Sequence, residues 1–221
     1  MAVPTVVASS TSDNGGVTDT FIDIVLPAGI QADDVIFLLA MTASNLPSSG
    51  FTATGYTTST LVVNNGSTDM YARYLYKKAT GSESSTTVRV SMTNSSYHVV
   101  IAVIVRGADG DAPLDVDGGT NASNIAPSVT TTVDDCLLLR FVAARNGTFP
   151  APSITPPSTS IATKQHGGGI AAAGASYDSQ ASAGATATKT FTVTGHTGYG
   201  AYTIAVPPGG PSGWTVGSIR F

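Results

Sequence analysis

Asp33-Asp34-Val35-Ile36-Phe37-Leu38-Leu39-Ala40 and, 101 residues on, Asp134-Asp135-Cys136-Leu137-Leu138-Leu139 are the stretches on which the fold turns. Each opens on paired carboxylates and runs into unbroken apolar residues, the pattern of a short strand covered on both faces. Val99 to Val105 is a second such run, and these are expected to be the central strands. Thr86-Thr87-Val88-Arg89-Val90-Ser91-Met92 instead alternates with a period of two, which places Val88, Val90 and Met92 inward on a half-buried strand. Strands are expected at Thr5 to Ser9, Thr20 to Leu26, Asp34 to Ala43, Met70 to Ala79, Thr86 to Thr93 and His98 to Arg106. Helical periodicity is nowhere sustained, so the chain reads as all-β.

The echo at 101 residues continues without a gap. Ala43 and Asn45 fall on Ala144 and Asn146, Thr58-Ser59 on Thr159-Ser160, Tyr76 on Tyr177, Val90 and Met92 on Phe191 and Val193, and Val103 and Val105 on Ile204 and Val206. This predicts a duplicated antiparallel β-sandwich with jelly-roll-like halves of about 100 residues. The first half is residues 1–107, the second is 108–208, and 209–221 is a Pro/Gly hinge with a C-terminal arm. Two architectures fit: each half its own sandwich, or the halves interleaved in one double sheet. The junction Ala108-Asp109-Gly110-Asp111-Ala112-Pro113 reads as a short turn that packs the halves rigidly. The second half carries Ile170-Ala171-Ala172-Ala173-Gly174-Ala175-Ser176 where the first has Met70 to Tyr76, and so thin a strand needs bulky residues from elsewhere or a closely approaching partner.

Composition narrows the function classes. In 221 residues only 11% are charged, 42% are hydrophobic and about a quarter are Ser or Thr, so hydroxyls and glycines cover the surface. Such surfaces suit packing against neighbours, where a Thr is desolvated more cheaply than a Lys, and they equally suit a Thr-rich sandwich in solution. With a net charge of −4 and no basic run longer than Lys77-Lys78, nucleic acid is a poor partner. Met1-Ala2-Val3-Pro4-Thr5 has no basic region leading into an apolar core, and no apolar run reaches membrane length, so neither a secretory leader nor a membrane partner is expected. The single cysteine, Cys136, sits in the apolar run Val133 to Val142 and reads as a buried, inert thiol.

No motif supplies catalysis. There is no Gly-x-Ser-x-Gly elbow, and His98, His166 and His196 are dispersed at strand ends and loops. No catalytic residue, cofactor or zinc site is assigned. The Asp33-Asp34 and Asp134-Asp135 pairs read as turn formers, since Asp bonds downstream amides and tolerates turn dihedrals. Asp109, Asp111, Asp115 and Asp117, with Gly118 and Asn121, are calcium-type ligands without the spacing of an EF-hand loop, and a solvated turn between the halves is the better account of them. Asn65, Asn94, Asn121 and Asn146 each open an Asn-x-Ser/Thr triplet, which in a chain so rich in hydroxyls is expected by chance. Gly167-Gly168-Gly169 reads as a flexible loop tip. Tyr71, Tyr74 and Tyr76 invite comparison with a sugar platform, but their spacing puts Tyr74 and Tyr76 on one face and Tyr71 on the other.

Several segments together resemble a β-sandwich type found in structural modules of tailed bacteriophages and in bacterial surface proteins. They are Leu26-Pro27-Ala28-Gly29 with Asp33-Asp34, Tyr74-Leu75-Tyr76-Lys77-Lys78-Ala79-Thr80-Gly81-Ser82-Glu83, Val103-Ile104-Val105-Arg106-Gly107-Ala108 with Pro113-Leu114-Asp115-Val116, and Ala126 to Asp135. The resemblance implies a non-enzymatic virion component, a capsid decoration (cement) protein, whose partners are other virion proteins (the major capsid or tail protein) and copies of itself. The alternative it leaves open is a carbohydrate- or receptor-binding tail or fibre module. Neither the Ala-rich strand nor the tail belongs to that resemblance. Pro207-Pro208-Gly209-Gly210-Pro211-Ser212-Gly213 stops the last core strand, and the following residues carry Trp214, Val216, Ile219 and Phe221. Those four are the candidate assembly interface, either folded back on their own sandwich or docked on a neighbour.

Overall fold

The computed structural model describes residues 2–43, 50–59, 63–64, 70–146, 153–195 and 198–210, with backbone alone for 63–64 and 116–121. All regular structure among the described residues is β. In the first half the long strands are β1 (Thr5–Asp13), β2 (Asp19–Val25), β3 (Ala32–Thr42), β4 (Tyr71–Thr80), β5 (Thr87–Ser96) and β6 (His98–Arg106). In the second they are β7 (Val116–Asn121), β8 (Cys136–Arg145), β9 (Thr159–Gln165), β10 (Ala171–Gln180) and β11 (Gly198–Val206). The first strand outruns its expected end at Ser9 because its pairing with β6 continues to Asp13 opposite Val99.

Each large sheet draws its strands from one half alone. The first runs β1-β6-β3-β4, with the short strands Thr57–Thr58 and Val63–Asn64 on the outer side of β4, and the second runs β9-β10-β8-β11-β7. All these pairings are antiparallel. The two sheets pack face to face around the main core, into which β3 sends Val35, Phe37, Leu39 and Met41 while β8 sends Leu137, Leu139, Phe141 and Ala143. Tyr202 of β11 stacks on Phe141 at 5.0 Å and meets Tyr74 of β4 at 5.8 Å, joining the halves through aromatic contact.

A smaller layer covers each outer face. In the first half β2 pairs with β5, and Ile22, Ile24, Val90 and Met92 close over Ile36, Leu38 and Ala40. The alternation along Val88, Val90 and Met92 is thus the inner face of an outer sheet. In the second half the outer layer is made of short pairs, Ile125–Ala126 with Lys189–Thr190, Thr130–Thr131 with Gly184–Ala185, and Ser153–Thr155 with Thr192–Thr194. The apolar groups beneath it are correspondingly few, around Phe191 and Val142 and around Leu138 and Cys136.

Between those two groups lies Arg140, only 1% exposed, where an aliphatic residue would otherwise continue the core. Its guanidinium donates to Asp178 at 2.9 Å, to the Thr203 hydroxyl at 3.3 Å and to the Ala187 carbonyl at 2.9 Å. A buried cation is tolerable only with such full pairing.

The thin strand β10 is explained by what approaches it. Ala171, Ala173 and Ala175 face the main core that β6 fills with Val99, Ile101 and Val103. On the opposite face a Cβ at Gly174 would lie 2.6 Å from a methyl of Ile154, so only glycine fits.

Many hydroxyls act inside the fold. Ser10 and Ser12 of β1 donate to the Val25 and Asp23 carbonyls of β2, each at 2.7 Å, tying the first large sheet to its outer layer. Ser84, Ser128 and Thr203 likewise donate to backbone carbonyls of neighbouring segments, and Thr86 to that of Glu83 in its own turn. Hydroxyls such as those of Ser10 and Ser12 link strands of different sheets, which no backbone ladder joins.

Candidate functional site

The end of the molecule where the halves join gathers much of its charge. β3 is entered through Asp33, which has a positive φ of 69°, and the next residue turns inward. Asp34 is buried; its carboxylate caps the Gln31 amide at 2.8 Å and accepts Arg106 at 2.9 and 2.8 Å, a bidentate pair closing β3 against β6. The paired aspartates therefore do more than make a turn. Lys78 bridges Asp33 at 3.1 Å and Asp111 at 3.0 Å. The junction is a turn held by Asp109, whose side chain accepts the amides of Asp111 and Ala112.

The last described residues are strapped to this junction. Pro208 bridges Ala108, Asp109 donates its amide to the Pro207 carbonyl at 3.2 Å, and Gly209 donates to the Gly107 carbonyl at 2.7 Å. A Cβ at Gly209 would sit 2.8 Å from the Ala108 oxygen, so the close approach requires glycine. A shallow cavity of about 200 Å³ opens beside it, lined by Gln31, Asp33, Asp34, Arg106, Ala108 and Gly210. Trp214, Val216, Ile219 and Phe221 lie outside the described residues.

At the neighbouring turn after β4, Glu83 collects the Thr80 amide at 3.1 Å, the Gly81 amide at 3.0 Å and the Lys77 ammonium at 2.8 Å. Burial pushes this carboxyl up, but Lys77 and the Thr80 donors outweigh it and hold it at about 2. The Tyr74-to-Glu83 segment of the resemblance is thus the length of β4 from Tyr74 to Thr80 followed by a carboxylate-pinned turn.

The remaining sequence candidates separate. His98 opens β6 and His166 follows the end of β9, both at strand ends and both buried, and burial lowers the pKa of each ring; His196 lies outside the described residues. Gly167-Gly168-Gly169 is no free loop tip, because it forms a tight turn docked on Gly15 and Gly16 of the first half. The acidic residues after the junction are committed to different partners: Asp111 to Lys78, and Asp115 to the amide and hydroxyl of Thr132. No group of three metal-ligating side chains occurs among the described residues, and the side chains of Asp117 and Asn121 lie outside them. Asn94 is exposed and Asn65 is outside the described residues.

Tyr74 is buried in the main core and Tyr76 packs against it, while Tyr71 packs on the outer core, so the three form no shelf. Burial, reinforced by Asp115, pushes the Cys136 thiol up to about 12 and leaves it un-ionised at neutral pH. Compared with known proteins, the chain matches no family model, no curated protein and no solved structure.

Proposed function

We propose that this protein is a non-enzymatic structural component of a virus particle, a capsid decoration (cement) protein that works by broad contact with other virion proteins and with copies of itself. The observation that carries the reading is the strap at Pro208 and Gly209, which gives the sequence beyond Gly210 a fixed starting point on a charged end of the molecule. That sequence brings Trp214, Val216, Ile219 and Phe221. Large apolar side chains that follow in sequence from a polar, ion-paired end of the molecule are the residue types an assembly interface uses, since there a few aromatic anchors carry most of the binding energy.

The polar clusters support the same reading, because each serves to join elements of the fold. Asp34 with Arg106 joins β3 to β6, Glu83 pins the turn after β4, and Arg140 ties β8 to three other segments.

Deleting residues 212–221 tests the proposal. The truncated protein is expected to keep the thermal unfolding midpoint of the full chain and to lose its place in the particle or oligomer. Undiminished assembly after truncation would remove the arm from the interface and with it the reading.

A further inference from the structure

The turn between β9 and β10 is docked on the first half, against Asp13, Gly15, Gly16 and Tyr97. His166 begins it, 2% exposed, with its ring 4.8 Å from that of Tyr97 and inclined at 66° to it. The Gly168 amide donates to Nδ1 of His166 at 2.8 Å, and the Gly169 amide donates to the His166 carbonyl at 2.8 Å. From the first half, Asp13 accepts the Gly167 amide at 3.4 Å and pairs with Lys164 at 2.6 Å. The backbones run close as well, near enough that a Cβ at Gly16 would be in van der Waals contact with the Gly168 nitrogen, at 3.6 Å.

This geometry fixes the tautomer of the ring. A nitrogen that accepts an amide hydrogen carries no proton, so the neutral His166 ring holds its proton on Nε2, which has no hydrogen-bond partner. Protonation places a second hydrogen on Nδ1, directly against the Gly168 N–H. Two donors then face each other, the bond that shapes the turn is lost, and a charge sits where water does not reach.

We infer that His166 is a proton-operated latch, whose neutral ring fastens the β9–β10 turn onto the first half and whose protonation releases that end of the seam. The charged groups around it do not cancel the effect. Asp13 favours the imidazolium and Lys164 opposes it, and the two neutralise each other as a pair. Tyr97 offers a ring and no charge. His98 lies on the opposite face of β6, buried, with Nε2 bonded to the Asp19 carbonyl at 2.7 Å, and its own protonation would add repulsion.

The sign follows from burial, which lowers the pKa of the closed-state ring below the ordinary 6.5. The latch is therefore fully closed above that value and weakens as pH falls through it, the open form gaining about tenfold in relative population per pH unit for each proton taken up. Asp13 is held below its ordinary 3.8, since Lys164 and the Gly15 amide outweigh its burial, so the ion pair persists across this window.

The test is hydrogen exchange of the amides of residues 15–17 and 167–170 in the full chain, corrected for intrinsic rates, at about pH 7.5 and pH 5. Opening is expected to rise by about tenfold or more at the lower pH in the wild type. His166→Asn keeps an acceptor for the Gly168 amide without titrating, and its exchange is expected to be independent of pH. Ring ¹⁵N shifts of the unmutated protein provide a reading that needs no variant: Nε2–H at neutral pH, with protonation below the ordinary histidine range. Equal opening at both pH values, a pH response that survives His166→Asn or moves to His98→Asn, or an Nδ1–H tautomer would each overturn the latch.

Discussion

Replacing Glu83 by Gln isolates the charge of one carboxylate while keeping its shape. Glu83 accepts from the Thr80 amide and hydroxyl, the Gly81 amide and Lys77. Its carboxyl is held at about 2 against an ordinary 4.5, and at 1.36 kcal/mol per pKa unit that difference corresponds to at most about 3 kcal/mol. The Lys77 side chain remains 23% exposed, so solvent screens part of this and about 2 kcal/mol is the expected loss at pH 7. A glutamine oxygen still accepts one amide, but its NH₂ group meets a second donor.

The sign is that of a depressed acid. The stabilisation is complete above the unfolded value of 4.5 and disappears as pH falls toward 2. Urea denaturation of both proteins at a series of pH values reads the gap, and comparison at each pH cancels the titration of every other carboxylate. A gap of about 2 kcal/mol at pH 7 that closes between about pH 4.5 and 2 is the expected result. A gap under about 0.5 kcal/mol, or one that stays constant with pH, would refute the argument that charge at Glu83 pins the turn.

Two further predictions come from the core. Tyr202→Phe removes a buried hydroxyl that has no hydrogen-bond partner, so the variant is expected to gain about 1 kcal/mol, read as a higher thermal midpoint; a lower midpoint would show that the hydroxyl is satisfied. Gly174→Ala drives a methyl to 2.6 Å from Ile154 and is expected to cost about 1–3 kcal/mol, a loss that largely disappears when Gly174→Ala is made on an Ile154→Ala background; equal losses on both backgrounds would place the strain elsewhere.

The strands that were legible were those whose pattern depends on their own residues. Val35 to Ala40 and Val99 to Val105 are apolar on every position and do lie at the centre of the first sheet, and the alternation of Val88, Val90 and Met92 marks the face of an outer one. What was not legible depends on distant segments. His166 reads as a loop residue beside three glycines, and its burial comes from Tyr97 and the turn at Gly15–Gly16, which arrive from the other half of the chain. β9 carries no distinct signal because its half-exposed residues, Thr159 to Gln165, are positioned by β10 and by β1 across the seam. The hydroxyl-rich composition reads as surface, whereas Ser10, Ser12 and Thr203 bond backbone carbonyls, a role that only the approach of another segment creates. At the candidate interface the charges were visible in sequence, but not the pairing of Asp34 with Arg106, because those residues are brought opposite one another only by the β3–β6 register.

That register also decides how the halves correspond. At the 101-residue offset Val35 falls on Cys136, yet Val35 faces the main core and Cys136 faces an outer one. Matching faces requires Leu137, Leu139 and Phe141 opposite Val35, Phe37 and Leu39, an offset of 102. The backbone says the same, for the positive φ before each central strand occurs at Asp33 and Asp135. At other strands an offset of 101 sets core-facing residues against core-facing ones, Ala72 and Tyr74 against Ala173 and Ala175, and Val103 and Val105 against Ile204 and Val206. A shift of one residue flips every side chain of a strand, and in a strand polar on one face it would be plain in sequence. Here the strand is apolar on both faces, so the property that made it recognisable as central also hid its register. Treating the halves as copies of one unit therefore requires the central strand to be displaced by one residue in the second. On that alignment Asp34 corresponds to Cys136 and Arg106 to Pro207, the residues next beyond the Leu137–Val206 pair of β8 and β11. In the first half the buried carboxylate has its cation, and in the second these two positions carry no charge, so neither half leaves a buried charge without its partner, an arrangement that costs several kcal/mol.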